Sequence, residues 1–132
     1  MSRAAVLVIE DEPRLRFIVE RQLTEAGFGV VAVEAGEEAM KTLETLTPDL
    51  VLVNILLTGI GGIEVCGRIR ANRRLAHVPV IFFTAKTDDE SRAQCMAAGA
   101  NDYITKPWNR DDLLLRVRKA IAASGSRNAQ SP

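Results

Sequence analysis

Five side chains are of the types that could hold a metal ion or act on a phosphoryl group: Glu10, Asp11, Asn54, Thr84 and Lys106. Two adjacent carboxylates supply hard oxygen ligands of the kind Mg2+ takes alongside water in octahedral geometry. A hydroxyl and an ammonium can donate hydrogen bonds to phosphoryl oxygens as charge develops on them. Each of these groups follows a short apolar run: residues 5–9 precede Glu10 and Asp11, 50–53 precede Asn54, 80–83 precede Thr84, and 102–105 precede Lys106. Taken singly, the acidic pair reads as a solvated loop start, Thr84 as a cap, and Lys106 as a surface charge. Their common position at the ends of apolar runs is what turns them into a candidate site.

That position has meaning only if the runs are parallel strands. A fifth run, 29–33, completes the set, and longer segments of helical periodicity separate all five. This alternation is the βαβ signature of a parallel sheet covered on both faces. Right-handed crossovers point every strand the same way, and the crevice opens at the carboxyl ends where strand order reverses. The first helix is expected over residues 12–26, with Pro13 in its opening turn and Gly27 as its C-terminal cap. The second and third are expected over 37–46 and 62–70. Thr87 with Glu90 suggests a capping box for a fourth that ends near Gly99, and Asn109 suits the cap of a fifth. From Ser124 onward the residues are small and polar, so 124–132 is expected to be a disordered tail or truncated linker after a single domain, 1–123.

Composition narrows the function classes. With 17 basic and 17 acidic residues, the chain has no charge excess to draw it to nucleic acid or an acidic membrane. The apolar start of the chain is too short to span a bilayer, and a cytoplasmic location is expected. Cys66 and Cys95 lack CxxC spacing or histidine partners, which argues against a disulfide framework or zinc. The run from Thr58 to Gly62 reads as a turn, since Glu64 breaks the dinucleotide fingerprint. Arg68, Arg70, Arg73 and Arg74 read as a solvated helix end, and His77, the sole histidine, has no partner for catalysis.

The stretches VIEDEP, FFTA and NDYITKPW, with Gly59 and Gly62 after the third strand, resemble the response-regulator receiver domain of two-component signalling over residues 4–123. The resemblance implies an α/β, doubly wound, flavodoxin-like parallel sheet of order 2-1-3-4-5 with five helices. It implies that Glu10, Asp11 and the backbone carbonyl of Leu56 hold Mg2+, and that Thr84 and Lys106 bind phosphoryl oxygens. Thr84 and Tyr103 would form the switch, Tyr103 through an inward or outward rotamer, and the Lys106–Pro107 bond would be cis. Implied partners are a histidine kinase or other signalling protein, and an output partner or second copy docked on the fourth helix, fifth strand and fifth helix, with no direct nucleic-acid or membrane contact.

The departures from that pattern decide the expected function. Asn54 stands where the family has its phosphate-accepting aspartate, Thr58 where proline is usual, and Gly61 where an acid is frequent. An amide is uncharged and its nitrogen lone pair is delocalised, so it cannot attack phosphorus to form an acyl phosphate. Loss of one carboxylate also weakens Mg2+ binding while easing repulsion in the metal-free site. The expectation is a non-enzymatic, phosphorylation-incompetent receiver acting by protein–protein contacts. The alternative is a conventional phospho-accepting regulator carrying an engineered Asp-to-Asn change at position 54. A small phosphatase or nucleotide-binding enzyme on a related fold ranks last, for want of a nucleophile in the crevice.

Overall fold

The computed structural model describes residues 3–130, with side chains through Ser124. Strands and helices alternate as β1 (Ala5–Ile9), α1 (Pro13–Glu25), β2 (Gly29–Val33), α2 (Gly36–Leu43), β3 (Leu50–Val53), α3 (Gly62–Ala71), β4 (Val80–Thr84), α4 (Asp89–Ala97), β5 (Asp102–Thr105) and α5 (Arg110–Gln130). The five strands form one sheet of order β2-β1-β3-β4-β5, every pair parallel. The parallel sheet is what the alternation of runs predicts, and its order is the flavodoxin-like one implied by the family resemblance. Strand order reverses at β1 and β3, so the crevice opens where Glu10 and Asn54 emerge.

Successive side chains along a strand point to opposite faces, and the core divides accordingly. Leu7 and Ile9 of β1, with Val51 and Val53 of β3, join Leu43, Val65, Ile69 and Cys95 on the α2–α3–α4 side. Val6 and Val8, with Leu50 and Leu52, join Val19, Leu23, Leu113 and Val117 on the α1–α5 side. Strands buried on both faces have no polar alternation, which is why they read as unbroken apolar runs.

Helix ends depart from expectation where local hydrogen bonds compete. α2 stops at Leu43 rather than at residue 46, because the Glu44 and Thr45 N–H groups turn back tightly onto Lys41 and Thr42. The cap of α4 is Asp88, not Thr87: the Asp88 carboxylate accepts both the Ser91 N–H at 3.0 Å and the Ser91 hydroxyl at 2.9 Å. An ionised oxygen pair is the stronger acceptor. Asn109 does cap α5, accepting from the Asp112 N–H at 3.1 Å. Helical backbone continues past Ser124 to Gln130, beyond the helix end expected from composition. Among the described residues no helix is long and apolar enough to cross a membrane.

Candidate functional site

Backbone pairing extends one residue past the strands and thereby sets the site. The Glu10 N–H donates to the Val33 carbonyl at 3.0 Å, the Asn54 N–H to Ile9 at 3.1 Å, and the Lys106 N–H to Thr84 at 2.9 Å. Glu10, Asn54, Thr84 and Lys106 are thus brought to one edge of the sheet by β1, β3, β4 and β5.

Glu10 is the centre of this group and is only 1% exposed. One of its carboxylate oxygens accepts from the Lys106 ammonium. The other accepts from the Asn54 side-chain amide at 3.4 Å and from the Glu12 N–H at 3.1 Å. Arg16 holds the Glu10 carbonyl at 2.9 Å. A desolvated carboxylate is tolerated only when paired and hydrogen-bonded, and here it is both. Asn54 contributes as a donor, which an ionised aspartate cannot do. Asp11, half-buried, makes no hydrogen bond or ion pair among the described residues. The oxygens open to a cation are therefore those of Asp11 and backbone carbonyls, while Glu10 is taken by Lys106. No group of three His, Cys, Asp or Glu able to hold a metal occurs among the described residues. The oxygen donors fit Mg2+ in kind, with little charge behind them.

The loop from β3 to α3 is tightly fitted around the site. A Cβ on Gly62 would overlap the Asn54 carbonyl. Gly59 sits at φ +81°, and a Cβ there would overlap the Glu37 carboxylate. Glu37, in the first turn of α2, also accepts the Ile60 N–H at 3.1 Å. Sequence reading missed this brace because its partners lie 23 residues apart. Leu56 is the exposed large apolar residue of the loop, with its side chain facing solvent.

Tyr103 is inward and buried. Its hydroxyl donates to the Lys86 carbonyl, and the Arg92 guanidinium lies 4.7 Å from its ring centroid. Burial pushes the phenol pKa above its usual value, nearby Cys95 adds to this, and Arg92 pulls it partly back. Thr84 Oγ1 accepts the Lys86 N–H at 3.3 Å, so one loop residue touches both expected switch positions. The Lys106–Pro107 bond is cis.

Two arginines read as solvated are structural staples. Arg70 donates to the Val78 carbonyl at 2.6 Å, to Gly99 at 2.8 Å and to the Asn101 side chain at 2.8 Å. Arg74 reaches back to the Leu43 carbonyl and the Thr47 hydroxyl. At this helix end a guanidinium finds carbonyls left open by neighbouring chain segments, which compete with water for it. Both cysteines are free and buried. Burial raises the Cys66 thiol, and it pushes Cys95 up to about 11.

Comparison with known proteins agrees with this architecture. The chain matches the response regulator receiver domain over residues 6–118. It is 38% identical over 118 residues to the transcriptional regulatory protein TcrA of Mycobacterium tuberculosis, covering 89% of this chain and 46% of that protein. The chain spans about half the length of the curated relatives it matches. Among solved structures, a putative response regulator from Chloroflexus aurantiacus superposes with TM-score 0.89 at 30% identity, covering 92% of this chain and 99% of that one. The receiver domain of a sensor histidine kinase from Pseudomonas aeruginosa, described with a magnesium ion coordinated in its active-site cleft, superposes with TM-score 0.86 at 30% identity over 92% and 99% of the two chains. The chain belongs to the response regulator receiver domain family, the signalling module of two-component systems.

Proposed function

We propose that this receiver signals without aspartyl phosphorylation, through protein–protein contacts on the face made by α4, β5 and α5. What supports the reading is Asn54 at the end of β3, the position that the resemblance assigns to the phosphoacceptor: its amide is a donor to Glu10. It offers no anionic oxygen to attack phosphorus. Thr84 and Lys106 keep the phosphate-binding roles implied by the resemblance, and Tyr103 with Thr84 the switch role, but their groups already have partners inside the protein. Mg2+ would be held by Asp11 and the Leu56 carbonyl, joined by Glu10 only if Lys106 gives it up, so binding is weak. The ion would supply charge neutralisation to a bound phosphoryl group.

The α4–β5–α5 face has the charged and apolar character of a docking surface. A depression of roughly 200 Å3 is lined by Arg92, Tyr103, Asn109, Asp112 and Arg116 among others, and Met96 is exposed nearby on α4. Arg116 is tied to Asp102 at 2.7 Å and to Asp112 at 2.9 Å. Its occupant is an output partner, a histidine kinase or a second copy, met in the cytoplasm, with residues 1–123 as the folded unit and the following segment as linker.

Intact mass after incubation with Mg2+ and a small phosphodonor tests the reading, with an Asn54→Asp variant in parallel. The expected result is a phosphoryl gain on the variant alone; a gain on the parent protein overturns it. Charge reversals at exposed positions of α4 and α5 should abolish partner capture, and unchanged capture would remove the docking face from the proposal.

A further inference from the structure

Tyr103 is the sole tyrosine of the chain. It has two contacts on its polar end and ring face that come from the neighbouring loop and helix: its hydroxyl donates to the Lys86 carbonyl, and Arg92 of α4 covers its ring at 4.7 Å. Lys86 is bonded in turn to Thr84. A connected path therefore runs from the end of β4, through the loop, to the outer surface of α4. Arg92 differs from Arg116 in the same depression. Arg116 is neutralised by two aspartates, whereas Arg92 takes part in none of the ion pairs among the described residues. Its cation is directed at the tyrosine ring, whose face carries the negative side of the quadrupole. Rotation of Tyr103 outward would break the hydroxyl bond and the ring contact together.

We propose that Arg92 is a positioning residue that holds Tyr103 in its buried rotamer, so that the α4–β5 surface keeps one arrangement with no phosphoryl group in the site. The inference rests on the reading of that surface as the docking face, and it supplies the means by which a receiver with Asn54 presents a fixed face. The competing account is that core packing alone retains Tyr103 and that Arg92 is a bystander.

The two accounts predict opposite signs in a single titration. Arg92 is exposed, so Arg92→Met and Arg92→Lys should fold, as far-UV circular dichroism will verify. Tyr103 ionisation is followed by absorbance at 295 nm, and its accessibility by the rate of nitration with tetranitromethane at pH 8, read as a mass gain on Tyr103. In the parent, burial and Cys95 raise the phenol pKa while Arg92 lowers it, with Asp88 the other charge facing it. If Arg92 is the latch, Arg92→Met frees the ring. The midpoint then falls toward the ordinary value of about 10, nitration accelerates roughly tenfold, and Arg92→Lys stays close to the parent. If packing alone holds the ring, Arg92→Met removes only a nearby cation. The midpoint then rises further and nitration stays slow, which overturns the proposal. No partner enters this measurement, so its failure leaves the docking face standing, while failure of the docking face leaves the hold of Arg92 on Tyr103 but removes the docking role given to it.

Discussion

At the scale of single residues, the site is arranged around one buried carboxylate. Glu10 has three donors, Lys106, Asn54 and the Glu12 N–H, and none of them is bulk water. Breaking a buried pair by removing one partner strands the other charge, which typically costs about 3–5 kcal/mol. Lys106→Met should lower the urea-unfolding free energy by about that amount, whereas the double change Glu10→Gln with Lys106→Met should recover much of it. A loss below about 1 kcal/mol for Lys106→Met would mean that the pair behaves as a solvated surface bridge. The residue types and their order made these groups visible in the sequence, because each follows an apolar run. Their mutual pairing was not visible: the reading of Glu10 and Lys106 as ligands for metal and phosphate says nothing of the ion pair they make with each other. Pairing across 96 positions is a product of the sheet, and no local pattern encodes it.

At the scale of elements, the inner strands β1, β3 and β4 were legible because burial on both faces leaves a nearly uninterrupted apolar run, and four of the five strands have the expected limits, with β4 extended by Thr84. Helix ends were less legible, since several adjacent polar residues can each serve as a cap. α4 is the clear instance, with Thr87 and Asp88 both able to start it. Asp88 wins, and hydrogen bonds from the Ser91 backbone and hydroxyl hold its carboxyl below the usual value. A carboxyl with a lowered folded-state pKa contributes stability that is complete above its unfolded value of about 4 and disappears as pH falls through the folded value. The gap in thermal midpoint between the parent and Asp88→Ala should therefore be full near neutrality and should close in acid. A gap that persisted unchanged at about pH 2 would show that the cap does not act through the ionised carboxylate. The braces at Glu37, Arg70 and Arg74 belong to the same scale. They join the ends of elements distant in sequence, so an arginine cluster that looked solvated turned out to hold three chain segments together.

At the scale of the whole molecule, the parallel sheet does two things at once: it gathers the strand ends into one crevice, and it sets α4, β5 and α5 side by side on an outer face. An aspartate at position 54 would add a third carboxylate beside Glu10 and Asp11, and like charges at one site repel. The Asn54 amide instead donates a hydrogen bond to Glu10. The fold should then be nearly indifferent to Mg2+, and the consequence is measurable as a linkage. A ligand at about 100 times its dissociation constant stabilises the folded state by about 2.7 kcal/mol. Asn54→Asp should unfold more easily than the parent without metal, through renewed repulsion of Glu10 and Asp11, and should gain stability of that order in millimolar Mg2+. The parent should gain only a small fraction of it. Chemical denaturation of both proteins with and without Mg2+ makes the comparison. An equal Mg2+ gain in the two would show that Asp11 and the loop carbonyls bind the ion without help from position 54, and that a charge at that position is not what governs the metal.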